Sequence, residues 1–190
     1  IAQDNIKRML AYSSISHMGF FLLGILSVEP NGYSSSLFYI LVYAVMSAGA
    51  FGMIILLSRS GFEAERLEDF KGLNQRSPWH AFLMMLLMLS MAGVPPTVGF
   101  YAKLLVIQSI VKVGMIPLAV VAVLFAVIGA YYYLRVIKLM YFDDAVDKSP
   151  IRASGDVQVL IGFNALLLVG ILPWVGVLME LCRQAIQTLV

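Results

Sequence analysis

Three side chains have the chemistry and the placement to move a proton: Lys103, His17 and Lys7. Lys103 is the sole charge in the 31 residues from Ala81 to Val111. It follows Pro95 and Pro96 by about two helical turns, near the start of what the sequence predicts to be a new half-helix. There, burial and the positive end of a helix dipole both act on an ammonium group. Proton transfer requires an amine that can cycle between charged and neutral forms, and a lysine in so apolar a stretch is a candidate. The plainer reading is a lysine whose stem snorkels to a polar boundary; the apolar-rich residues on either side work against it. His17 is flanked by Ser14 and Ser16, with Ser13 four residues before it and Phe20 and Phe21 after it. A neutral imidazole both donates and accepts, which suits a relay step, although a lone histidine among helices also serves simply as an interhelical hydrogen-bond partner. Lys7 lies about 15 Å from His17 along a helix axis, within reach of a water chain. Its neighbour Arg8 needs no role beyond orienting the helix.

The elements that must hold these groups are membrane helices. The chain has 190 residues, 61% hydrophobic and 13% charged, against about 45–50% and 25% in an ordinary soluble domain. With 13 Lys+Arg and 11 Asp+Glu there is no charge field to recruit a nucleic acid, and the single cysteine, Cys182, forms no internal disulfide. No metal-ligand cluster, nucleophile–base pair, Gly-rich phosphate loop or haem-type histidine pair is legible. No cofactor is therefore expected on this chain, and redox chemistry is not expected of its residues. The chain opens on Ile1 with no signal-peptide pattern, and the expectation is a single transmembrane domain over residues 1–190, the C-terminal piece of a longer membrane protein.

Spans are expected at about 9–28, 35–58, 115–142 and 157–179. The stretch 81–111 is too long for one straight span, at about 46 Å, and too short for two with a turn. Gly93-Val94-Pro95-Pro96-Thr97-Val98-Gly99 interrupts it, so it reads as one crossing by a helix broken at 94–99, with Pro95, Pro96 and Gly99 as its hinge. Non-helical backbone at that depth must be buried in protein or line a water-filled cavity. The fold class is then all-α, a polytopic bundle of about five spans with one discontinuous helix. The charge distribution tests the count. Lys7, Arg8, Arg59, Arg66, Lys71, Arg76, Arg135, Lys138, Lys148 and Arg152 fall on one side, and only Lys112 and Arg183 on the other. The positive-inside rule makes the first side cytoplasmic and puts the C-terminal end outside. Residues 59–80 read as a surface-lying or short amphipathic piece, Glu29 to Tyr33 as an outside turn, the small residues 47–52 as packing surface, and Tyr131 to Tyr133 as an interfacial aromatic belt.

The run Gln3-Asp4-Asn5-Ile6-Lys7-Arg8-Met9-Leu10-Ala11-Tyr12-Ser13-Ser14-Ile15-Ser16-His17-Met18-Gly19 resembles the signature of the antiporter-like membrane subunits of respiratory complex I and their cation/proton antiporter relatives. Gly93 to Lys103 looks like that family's second broken helix with its buried lysine. The uncharged helix 35–58 and the Tyr131-Tyr132-Tyr133-Leu134-Arg135 run look most like the bacterial NADH:quinone oxidoreductase members. The resemblance implies the last five helices of a fourteen-helix, inverted-repeat subunit of the inner membrane. It implies proton translocation along an axis that includes Lys103, His17 and Lys7. It also implies partners among other membrane subunits of complex I, which would carry NADH, flavin, iron–sulfur clusters and quinone. The alternative is a subunit of a multi-subunit Na⁺/H⁺ antiporter, with no redox coupling.

Overall fold

The computed structural model describes residues 3–58, 63–145, 151 and 154–188; Arg59, Lys148 and Arg152, counted in the charge asymmetry, lie outside the described residues. Every regular element described is helical. α1 (Ile6–Leu26) begins where the Asn5 side chain accepts the Arg8 backbone N–H at 3.0 Å, a standard N-cap. α2 (Pro30–Leu57) starts with a proline at its first position, where the missing N–H is of no consequence. The turn expected over Glu29 to Tyr33 therefore contracts to Ser27–Glu29, and Asn31 to Tyr33 already belong to α2. A 3-10 turn (Leu67–Phe70) and the short α3 (Leu73–Arg76) follow. These make the expected amphipathic piece, with Leu67, Phe70 and Leu73 buried.

α4 (Pro78–Ala92) and α5 (Val98–Lys112) are the two halves of the broken helix. Gly93 ends α4 in the left-handed region, at φ +81°, the conformation that favours glycine at a helix C-terminus. The break covers 93–97, so Gly99 lies in the first turn of α5 and not in the linker. Pro95 and Pro96 are exposed. α6 (Ile116–Phe142) is continuous over 27 residues.

The expected straight span 157–179 is interrupted. α7 (Gly155–Gly170) stops, a 3-10 turn (Leu172–Trp174) containing Pro173 intervenes, and α8 (Val175–Gln187) leaves with its axis turned by 53°. Pro173 removes a backbone donor where the helix would continue, which accounts for the turn. α8 is amphipathic and buries Cys182.

Among the described residues three continuous helices, α1, α2 and α6, are long and apolar enough to cross a membrane, and the bent pair α7–α8 is so jointly. With the broken α4–α5 pair this is a polytopic helical membrane bundle. α2 stands at its centre, touching α1, α4, α5, α7 and α8. Its small residues accept close neighbours, as expected: Gly49 faces Asn164 and Leu87, and Gly52 faces Ile161. The core runs through Met46, Ala50 and Met53 of α2 and Met84, Leu87 and Met88 of α4.

One end of the bundle is clasped. The Ile6 N–H donates to the Glu65 carbonyl at 2.7 Å, the Leu67 N–H to the Asp4 carbonyl at 2.8 Å and the Gly72 N–H to the Leu139 carbonyl at 3.0 Å. Arg135 on α6 pairs with Asp4 at 2.8 Å. Backbone and charge thus tie the start of α1, residues 63–77 and the end of α6 together.

Candidate functional site

Lys103 occupies the second turn of α5 and reaches back across the break. Its Nζ donates to the Met91 carbonyl at 2.8 Å and the Ala92 carbonyl at 2.9 Å. These are among the last carbonyls of α4, which lack partners within their own helix. Sequence reasoning placed the amine at the beginning of one half-helix. The structure adds the finish of the other, so the half-buried lysine is a C-terminal cap, and it does not snorkel. The ring of Phe20 lies 5.3 Å from Nζ, a cation–π contact. At Gly99 the two halves come so close that a Cβ would stand 2.0 Å from the Ser90 carbonyl oxygen. The Gly99 N–H donates to Ser90 Oγ at 3.3 Å.

His17, 2% exposed, makes two interhelical hydrogen bonds. Nδ1 is 2.7 Å from Tyr39 Oη on α2, and Nε2 is 3.2 Å from Tyr133 Oη on α6. Tyr43 stacks on the imidazole with centroids 4.8 Å apart. Tyr133 Oη also forms a short hydrogen bond with Ser13 Oγ. A cavity of about 660 Å³ opens beside this cluster, and Ser13, His17, Phe20, Lys103 and Tyr133 are all in its wall, with Gln3 at one end.

Of the residues singled out by sequence, the structure brings Lys103 and His17 onto one cavity. Lys7 it seats elsewhere: Nζ pairs with Glu63 at 2.9 Å and Glu65 at 2.7 Å at the clasped end, and Lys7 does not line the cavity. Two carboxylates brought in by residues 63–65 claim the amine first. The hydrogen bond from Lys7 holds the Glu65 carboxyl below the usual carboxylate range.

Tyr133 departs from the expected aromatic belt. Tyr131 is exposed and Tyr132 half-buried, but Tyr133 is buried. The signal was present in the sequence: Tyr133, Val136 and Met140 repeat at helical spacing and are buried together. The reach of Tyr39 across to His17 had no such signal.

Among the described residues no group of three or more His, Cys, Asp or Glu could hold a metal ion.

Residues 1–129 match the family model described as NADH:quinone oxidoreductase/Mrp antiporter, TM. NADH-quinone oxidoreductase subunit N from Thiobacillus denitrificans is 60% identical over 190 residues, covering 99% of this chain and 39% of the relative. The protein of the same name from Thioalkalivibrio sulfidiphilus is 61% identical over 189 residues, 98% of this chain and 39% of the relative. The chain thus spans about two-fifths of the length of the curated relatives it matches. A chain of respiratory complex I from Thermus thermophilus superposes with a TM-score of 0.80 at 25% identity, over 94% of this chain and 40% of that one. A chain of the Mrp complex from Dietzia sp. superposes at 0.83 with 21% identity, over 97% of this chain and 43% of that one, a likeness of fold alone. The Gln3–Gly19 and Gly93–Lys103 runs, which carry the family resemblance, lie inside the matched region, the Tyr131–Arg135 run lies beyond it, and the chain belongs to the NADH:quinone oxidoreductase/Mrp antiporter transmembrane family.

Proposed function

We propose that the chain is the C-terminal part of a proton-translocating membrane subunit of a bacterial NADH:quinone oxidoreductase, seated in the inner membrane with the clasped end cytoplasmic. The observation that carries this reading is the shared cavity. An amine at a helix break and a doubly hydrogen-bonded imidazole face the same space of about 660 Å³; its wall is largely apolar, and Lys103, His17, Ser13 and Tyr133 are the polar partners that water there would need. Lys103 is the group that loses and regains the proton. His17 and its hydroxyl partners form the hydrogen-bonded wall of that space, and Lys7, with Glu63 and Glu65, stands at the cytoplasmic end. Pro95 and Pro96 form the hinge between the two half-helices, and Gly99, in the first turn of α5, lets that turn approach Ser90 beside the lysine. On this reading other subunits hold NADH, flavin, iron–sulfur clusters and quinone, and their redox chemistry drives the transfer. The family also includes Mrp antiporters; the relatives at 60% and 61% identity favour the oxidoreductase.

The test is proton uptake into membrane vesicles, normalised to assembled complex. Lys103→Met keeps the length of the side chain and removes the proton. Lys103→Arg keeps a charge that, with a pKa above about 12, is not released. Both are expected to assemble and to lose most uptake. Near-normal uptake by assembled Lys103→Met would sink the assignment. Nearly normal Arg beside a Met variant that does not assemble would mark a fixed structural cation instead.

A further inference from the structure

The His17 ring is held on both edges by phenols, and the two differ in one respect: Tyr133 lines the cavity and Tyr39 does not. Tyr39 is 1% exposed, and among the described residues its hydroxyl has a single hydrogen-bond partner, His17 Nδ1 at 2.7 Å. A buried phenol O–H requires an acceptor, so Tyr39 donates its hydroxyl hydrogen to Nδ1, which accepts. The hydrogen of a neutral imidazole must then be on Nε2. From there it is donated to Tyr133 Oη, 3.2 Å away. Tyr133, accepting on one side, donates onward to Ser13 Oγ. Each bond in the row points the same way, from the buried face of α2 to the cavity wall. The opposite direction would leave the Tyr39 O–H buried with no acceptor.

We propose that Tyr39 and His17 are positioning residues: together they set the direction of the hydrogen-bond row Tyr39–His17–Tyr133–Ser13, so that Ser13 and Tyr133 meet the cavity they share with Lys103 in one fixed orientation, while the ring itself exchanges no proton. This rests on the reading of Lys103 as the proton carrier and narrows the share of His17 within it. Tyr39, by donating to Nδ1, occupies the nitrogen at which the ring would take up a proton. The other titratable groups facing the ring, Tyr43 stacked on it and Lys103 across the cavity, make no hydrogen bond to it among the described residues.

Glutamine separates orientation from exchange. Its amide oxygen can accept from Tyr39 and its NH₂ can donate to Tyr133, with no exchangeable acid–base couple. In the full-length protein within its assembled complex, His17→Gln is expected to keep at least about half of wild-type proton uptake with an unchanged pH profile. His17→Ala and Tyr39→Phe, which break the row, are expected to fall by about tenfold, the lower end of what losing a partner that orients a histidine costs. Assembled His17→Gln as inactive as His17→Ala overturns the proposal while leaving Lys103 in place. Normal uptake by Lys103→Met removes the reading beneath it, whatever the His17 variants do. If His17→Gln does not assemble, the ¹⁵N-histidine spectrum of the wild-type complex decides, with assembled Tyr39→Phe as the comparison. A ring that stays Nε2–H from about pH 5 to 8, the window in which an unperturbed imidazole titrates, supports orientation; one that titrates in that window, or is Nδ1–H, overturns it.

Discussion

Replacing Gly99 by alanine probes how tightly the two halves of the broken helix must meet. An added Cβ would stand 2.0 Å from the Ser90 carbonyl oxygen and 2.8 Å from both the Ser90 carbonyl carbon and Oγ. Close carbon–oxygen contacts sit at about 3.3 Å or more, so α4 and α5 must separate by roughly 1.3 Å at this point. The Gly99 N–H is already 3.3 Å from Ser90 Oγ, and that bond does not survive such a shift. The flexible stem of Lys103 can follow the movement, so its two carbonyl contacts persist. Overpacking costs about 1–3 kcal/mol and the lost hydrogen bond about 0.5–1.5 kcal/mol, together roughly 2–4 kcal/mol. At about 2–4 °C per kcal/mol for a domain of this size, the apparent Tm should fall by roughly 5–15 °C. The assay is thermal unfolding of the detergent-solubilised protein beside Gly19→Ala, a helical glycine with nothing within 4 Å of the added Cβ. Gly19→Ala should be neutral or slightly stabilising. If Gly99→Ala unfolds with Gly19→Ala, the close approach does not hold the break together.

Tyr133→Phe removes the hydroxyl shared by Ser13 and His17 and should destabilise by about 1–3 kcal/mol through unsatisfied buried groups; Tyr131→Phe, on the exposed side, should leave the Tm unchanged. The Lys7–Glu65 pair predicts a pH dependence at the clasped end. Because pairing lowers the folded carboxyl, its contribution is complete above the ordinary glutamate range and lost as pH falls through the folded value. Proteolysis of residues 63–77 should therefore rise on acidification in wild type and depend less on pH in Lys7→Gln. Cysteines at Glu29 and Lys112 should label from outside and one at Lys71 only from the cytoplasm. Labelling of Glu29 and Lys71 from the same side would refute the orientation. Gly32, although close by, is unsuitable for labelling, since a Cβ there would stand 1.7 Å from Ser27 Oγ.

What composition and breakers encode was readable before any coordinates. Apolar length gave the continuous spans, Pro95 and Pro96 gave the broken helix, and a lone charge in an apolar stretch drew attention to Lys103. The interruption at Leu172–Trp174 is marked only by Pro173, and an apolar window of the right length masks that proline. What Lys103 touches was not legible. Its partners are backbone carbonyls 11 and 12 residues earlier, and they become available only because α4 ends at the break, where the first turns of α5 meet them. Lys7 was read along its own helix, whereas its partners arrive from 56 and 58 residues away. The hydroxyls around His17 come from α2 and α6, and side-chain pairing between helices leaves little trace in a single sequence.

The distance along the chain from Ser13 to Tyr133, 120 residues, dictates when this site can come into being. Helices of a membrane protein enter the bilayer in the order of their synthesis. α1 and α2, joined by three residues, can pair at once, and Tyr39 reaches His17 at that stage. Ser13 and the Nε2 edge of His17 then remain without Tyr133 while the broken helix is laid down, until α6 arrives and Arg135 and Leu139 fasten it to Asp4 and Gly72. The wall thus closes only when α6 arrives, and α7 and α8 pack onto α2 after it. A lesson for mutagenesis follows: damage within α6 will register as an unfinished α1, far from the altered residue.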